Sequence, residues 1–214
     1  MKNRFYSLCL ATLGAFCAVS FWAAYSVFVL NDSTVYAENG PLENLQAALL
    51  AICSLTFLMP VVLKKPPVKL ILLSCSWLCF SFFLRELDVE RLNVPDAVKL
   101  IGSGAGRNGM LVLGFLTLLA FAAARFSFYK EAVLLFLKAR PGVLMMLAGV
   151  LLFAGEIFEK SHSIRHNAFF EEELELLGFS FILLSAFAVN CGLAPSPGAS
   201  SPPSGSDPKK SDDR

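Results

Sequence analysis

The chain has 214 residues and a net charge of +1; it is 56% hydrophobic and only 16% charged, with a mean hydropathy of +0.62. A soluble domain carries about 25% charged residues, so this composition excludes an ordinary soluble protein and predicts an all-α, polytopic membrane protein of about six transmembrane helices in one bundle. With no basic patch interleaved with aromatics, a nucleic-acid partner is excluded too, and the lipid bilayer is the expected surrounding.

Runs approaching the roughly 20 residues needed to cross a hydrocarbon core predict spans over 6–30, 43–63, 68–86, 109–127, 142–160 and 170–192, one domain covering residues 1–193. The first follows Met1-Lys2-Asn3-Arg4 and stays apolar through Leu30. That is too long for a signal-peptide core, so a retained helix is expected. Asn39-Gly40-Pro41-Leu42-Glu43 reads as the start of the second span, with Asn or Gly as cap and Pro in the first turn. Glu43 and Gln46 lie three apart and share a helix face at the outer boundary, which makes both candidate binding residues. The plainer role for Glu43 is to complement the helix dipole.

The third span ends Arg85-Glu86-Leu87-Asp88. Arg85, a candidate binding residue, is expected to pair with Asp88 while Glu86 points elsewhere. Both acids are candidate catalytic groups, because ionisable residues at bilayer depth are costly and usually functional. Snorkelling to water is the competing explanation. Gly102-Ser103-Gly104-Ala105-Gly106-Arg107-Asn108-Gly109 is glycine-rich but lacks the Lys-Ser/Thr of a phosphate loop, so a turn into the fourth span is expected. Arg107 there is placed to meet a lipid phosphate.

Residues 125–140 mix Phe and Leu with basic residues, as an interfacial segment does, before Pro141 opens the fifth span. If that span continues outward as a helix, Glu156, Glu159, His162 and His166 cover an arc of roughly 120°. Two His four apart with a Glu three before the first can hold a divalent metal, although no Glu follows His162 as HExxH requires. The plainer reading is a solvated helix end neutralised by Lys160 and Arg165. The sixth span opens with Glu171, Glu172, Glu173 and Glu175, more acid than capping needs. Glu172 and Glu175 share a face, are candidate catalytic carboxylates, and are in reach of His162, His166 or Arg85 if the helices pack. All six cysteines lie in or beside apolar runs and are expected to be free packing residues. Residues 194–214 are rich in Pro, Ser and Gly and are expected to form a disordered tail.

Lys2, Arg4, Lys64, Lys65, Lys69, Arg125, Lys130, Lys138 and Arg140 fall on one side when the chain is threaded with its N-terminus inside. By the positive-inside rule both termini are cytoplasmic, and a bacterial inner membrane is expected. Every acid except Glu131, Asp207, Asp212 and Asp213 then lies on or beside the outer face. The leading expectation is a non-catalytic envelope accessory or interaction protein that presents this acidic, His-containing face to an envelope protein partner. One alternative is an outer-leaflet, metal-assisted hydrolase or transferase acting on lipid or envelope precursors. Another is a small cation or solute permease, disfavoured because the first, second and fourth spans hold almost no ionisable residues. The sequence leaves open whether the chain is an enzyme.

Overall fold

The structure, a computed structural model, describes residues 2–62, 68–87, 89, 95, 99, 102–160 and 166–193. Among these it is all-helical. Seven α-helices follow one another: α1 (Lys2–Phe28), α2 (Pro41–Leu58), α3 (Val68–Glu86), α4 (Gly104–Ala124), α5 (Phe126–Lys138), α6 (Arg140–Glu159) and α7 (Asn167–Asn190). The predicted tail, Lys64, Lys65, Asp88, His162 and Arg165 lie outside the described residues.

Local sequence accounts for several boundaries. Gly40 caps α2 and Pro41 occupies its first turn, where a missing N–H costs nothing. Pro60 tightens the far end into a short 3-10 turn, Met59–Val61. A second such turn, Ser33–Tyr36, follows α1; its cap Asp32 accepts hydrogen bonds from the Thr34 amide at 3.0 Å and the Thr34 hydroxyl at 2.6 Å. Both bonds favour the ionised carboxylate and hold its pKa below the ordinary value. The glycine-rich stretch predicted as a turn is instead the first turns of α4, which begins five residues early, with Gly104 at φ +50°. Tertiary contacts outweigh the helix cost of Gly, about 1 kcal/mol each: Arg107 Nη1 donates to Leu84 O at 3.0 Å. The expected interfacial segment is a separate helix, α5, which turns Ala132 and Phe136 inward.

Five helices are long and apolar enough to cross a membrane: α1, α2 with its flanking turns, α3, α4 and α6. Residues assigned to a sixth span form α7, which buries thirteen of its residues. It packs along α6, α2 and α1, while α2 packs on α3 and α4 touches only α3 and α5 among the larger contacts. Gly178 allows α6 to approach closely. A Cβ there would sit 3.0 Å from Leu152 Cδ2 and 3.4 Å from Ala148 O, so a small residue sets the α6–α7 spacing. Leu50, Cys53, Phe57, Leu72, Cys79 and Phe179 fill the centre. Within this apolar layer α2 and α3 exchange two hydrogen bonds, Ser54 Oγ to Ser76 O at 3.1 Å and Ser76 Oγ to Ser54 O at 2.9 Å.

Successive long helices alternate in direction. Asn190 donates to Thr56 O at 3.0 Å and Ser185 to Pro141 O at 2.8 Å at one end. The other end gathers the C-termini of α1, α3 and α6 with the N-termini of α2, α4 and α7. Large side chains on the outside are apolar, Leu10 (77% exposed) and Phe153 (69%) among them. Such a surface suits hydrocarbon, not water.

Candidate functional site

The end assigned to the outside by the charge pattern carries a connected set of polar side chains. Arg85, in the last turn of α3, stands at its centre. Its Nε lies 2.8 Å from Glu86 Oε1 and its Nη2 lies 2.6 Å from Glu175 Oε1. The guanidinium therefore holds Glu86 on its own helix and ties that helix to α7 through the charge-assisted bond to Glu175. Glu86 and Glu175 are 9% and 5% exposed, whereas the Arg85 side chain is about half exposed. The expected pairing of Arg85 with Asp88 falls outside the described residues, and Glu86 does not point elsewhere: it is an Arg85 partner. Gly155 on α6 leaves space for the Glu175 stem, its absent Cβ lying 3.5 Å from Glu175 Cγ.

One turn earlier on α7, Glu172 faces α2. Gln46, fully buried, donates through Nε2 to Glu172 Oε2 at 2.7 Å and Glu172 O at 2.9 Å. Glu43, on the predicted shared face, turns back to accept from the Asn39 amide. It thereby stabilises Asn39 in its left-handed conformation, φ 61°. Glu173 reaches α1 instead, where Ser20 Oγ donates to its Oε2 at 2.5 Å. Two acceptors in this set, Gln46 Oε1 and Glu173 Oε1, are buried without a donor among the described residues.

The predicted metal arc is not continuous. α6 ends at Glu159, and His166 caps the start of α7 with φ 59°. His166 packs edge-on to Phe28 with ring centroids 5.6 Å apart, and its Nδ1 lies 3.0 Å from the Tyr36 hydroxyl. Glu156 faces Lys160 at 3.4 Å. Among the described residues no three His, Cys, Asp or Glu side chains are placed to share a metal ion. The six cysteines are free.

Two cavities flank Arg85. One, about 190 Å³, is lined by Phe82, Arg85, Leu152, Phe153, Glu156, Glu175 and Phe179. The other, about 280 Å³, lies towards α4 and is lined by Glu38, Asn39, Glu43, Arg85, Leu87, Val89, Gly102, Ser103, Gly104 and Arg107. A third, apolar space of about 350 Å³ separates α1 from α2 and α7. Of the residues singled out from sequence, Arg85, Glu86 and Glu175 converge, Gln46 and Glu172 converge beside them, and Glu43 meets Arg85 and Arg107 only across a cavity. Sequence reasoning missed Ser20, Tyr36 and Glu38. Ser20 carried a signal, a hydroxyl within an apolar run at the depth where α7 bears its glutamates.

No protein-family model, curated protein or solved structure matches this chain.

Proposed function

We propose that the chain is an integral membrane protein of six crossings, with α7 as the sixth and both termini cytoplasmic, in a bacterial inner membrane, and that its role is non-catalytic. On this reading it is an envelope accessory protein whose outer rim engages an envelope protein partner. The observation that carries it is that the described acid–base candidates are already committed to structural contacts: Glu86 and Glu175 on Arg85, Glu172 on Gln46, and His166 on Tyr36. Groups so committed act as a clamp that fixes the shape of the outer rim. A permease needs a polar route onward. Inward of the clamp, the described residues Leu50, Cys53, Cys79 and Phe179 are fully buried and apolar, which disfavours one.

The hydrolase reading retains one specific observation, the 190 Å³ cavity where Glu156, Glu175 and Arg85 meet. A photo-reactive residue placed in turn at Glu38, Lys160 and the lipid-facing Leu119 separates the two. Illumination of intact membranes is expected to give one adduct of defined mass from the rim positions and none from Leu119, with loss of the adduct in an Arg85→Gln background. A divalent metal that co-purifies in near-stoichiometric amount, with phospholipid or envelope-precursor hydrolysis abolished by Glu156→Gln, would overturn the accessory role.

A further inference from the structure

The 280 Å³ cavity between α2, α3 and α4 is unlike the rest of the outer end, because charges of both signs line it and, among the described residues, form no ion pair across it. Arg85 and Arg107 border it from α3 and α4; Glu38 and Glu43 border it from the turn before α2 and from α2 itself. Among the described residues Arg107 makes one hydrogen bond, to Leu84 O, so four of the five guanidinium donors are uncommitted. Arg85 commits two, to Glu86 and Glu175, which aims the guanidinium and leaves three. Ser103 and Gly104 bring the first turn of α4 to the same wall. The Ser103 hydroxyl donates to Lys99 O at 2.6 Å and caps no amide of α4. A Cβ at Gly104 would meet nothing within 4 Å, so a ligand can approach the backbone closely. Helix amides and two guanidinium groups on one wall make an oxyanion subsite. Across the cavity, Glu38 and Glu43 repel a simple anion and attract an ammonium group.

We infer that this cavity binds a zwitterion, a phosphate joined through a short spacer to a primary ammonium, with phosphate on the Arg107 and Arg85 side and ammonium on the Glu38 and Glu43 side. Its volume lies just under the range of about 300–1,000 Å³ that holds drug-sized ligands, which suits a headgroup and not a whole lipid. The ends of α2, α3 and α4 that surround it lie at headgroup depth if these helices cross a bilayer. The inference is independent of any protein partner.

The full chain in detergent, offered equimolar short-chain phosphatidylethanolamine, phosphatidylglycerol and phosphatidylcholine, tests it by native mass spectrometry. Soluble phosphoethanolamine, titrated calorimetrically, distinguishes a free zwitterion from a lipid headgroup. Phosphatidylethanolamine is expected to be retained about tenfold over the other two, the scale of one charge-assisted hydrogen bond. Phosphatidylglycerol lacks the ammonium, and phosphatidylcholine lacks its N–H donors. Glu38→Gln should remove the preference; Arg107→Gln should lower retention of all three lipids, which share the phosphate, and Arg107→Lys should restore part of that retention. Glu38 is exposed and outside the Arg85 clamp, so its variant keeps the wild-type melting temperature and its loss of preference is not unfolding. Binding of soluble phosphoethanolamine alone would retain the site and assign it a soluble ligand. Equal retention of the three lipids with no soluble binding, a preference unchanged in Glu38→Gln, or a retention unchanged in Arg107→Gln, would overturn the inference.

Discussion

α4 and α7 are of similar length, 21 and 24 residues, and both rich in apolar side chains, yet they occupy opposite environments. α7 buries thirteen residues and α4 buries none. Apolarity cannot decide between these fates, because lipid tails are as apolar as Leu and a helix gains little by exchanging one for the other. What separates them is the spacing of small and polar side chains. Gly178 opens α7 to α6, Ser185 bonds to Pro141 O, and Glu172, Glu173 and Glu175 reach α2, α1 and α3 in turn. On α4 the corresponding hydroxyl, Thr117, bonds back to Leu113 O of its own helix. The comparison breaks most sharply at Gly178. Gly178→Leu forces a side chain against Leu152 and the Ala148 carbonyl and is expected to destabilise by about 3 kcal/mol, the upper end for overpacking. Gly109→Leu on α4, where a Cβ meets nothing within 4 Å, should not destabilise and should recover up to about 1 kcal/mol of the helix cost of Gly. Thermal unfolding in one detergent measures both; equal effects would mean that α7 is not the packed helix.

The next largest effect is expected at the α3–α7 link. Removing one member of a buried ion pair costs about 3–5 kcal/mol. Arg85 is half exposed and water screens it, so about 2 kcal/mol is the expectation for Glu175→Gln. Arg85→Gln should cost a similar amount, because it leaves both Glu86 and Glu175 without their cation. The double variant should cost less than the sum of the two, with a coupling of about 1 kcal/mol or more as contacting charges show. Additive losses in the double-mutant cycle would mean that the pair contributes nothing as a pair.

Much of this architecture was legible in the sequence, and the unreadable part has a physical reason. Long apolar runs and Pro41 and Pro141 locate α1, α2, α3 and α6 to within a few residues, since length and backbone chemistry are local properties. The concentration of carboxylates at one end was equally visible, and Glu175 does meet Arg85. Partner choice was not. Arg85 has acids at adjacent and later positions, and which of them it takes depends on how α3 rotates against α7. That rotation depends on the side chains that face each other across the two helices, which neither segment specifies alone. The helix expected to carry the arc from Glu156 to His166 differs for a related reason. The arc presupposes an unbroken helix, whereas His166 adopts a left-handed backbone and packs into the aromatic side chains of Phe28 and Tyr36.

The smallest expected effect tests the apolar layer, where polar contacts would be supposed to matter most. Ser54 and Ser76 exchange hydroxyl-to-carbonyl bonds between α2 and α3 in the middle of the bundle. In hydrocarbon an unmade hydrogen bond has no water to replace it, which argues for a large loss on removal. Yet the unfolded-in-membrane state also finds partners, since a serine hydroxyl can bond to its own helix, as Ser74 does to Leu70 O and Ser81 to Trp77 O. Those intrahelical bonds survive separation of α2 from α3. Ser54→Ala and Ser76→Ala should therefore each cost only about 0.6 kcal/mol, the usual value for interhelical hydrogen bonds in membrane proteins. Together they should stay below the loss from Glu175→Gln. A loss above about 2 kcal/mol for either alanine variant, beyond the upper limit measured for such bonds, would place the specificity of helix pairing in the bundle centre and not at its charged end.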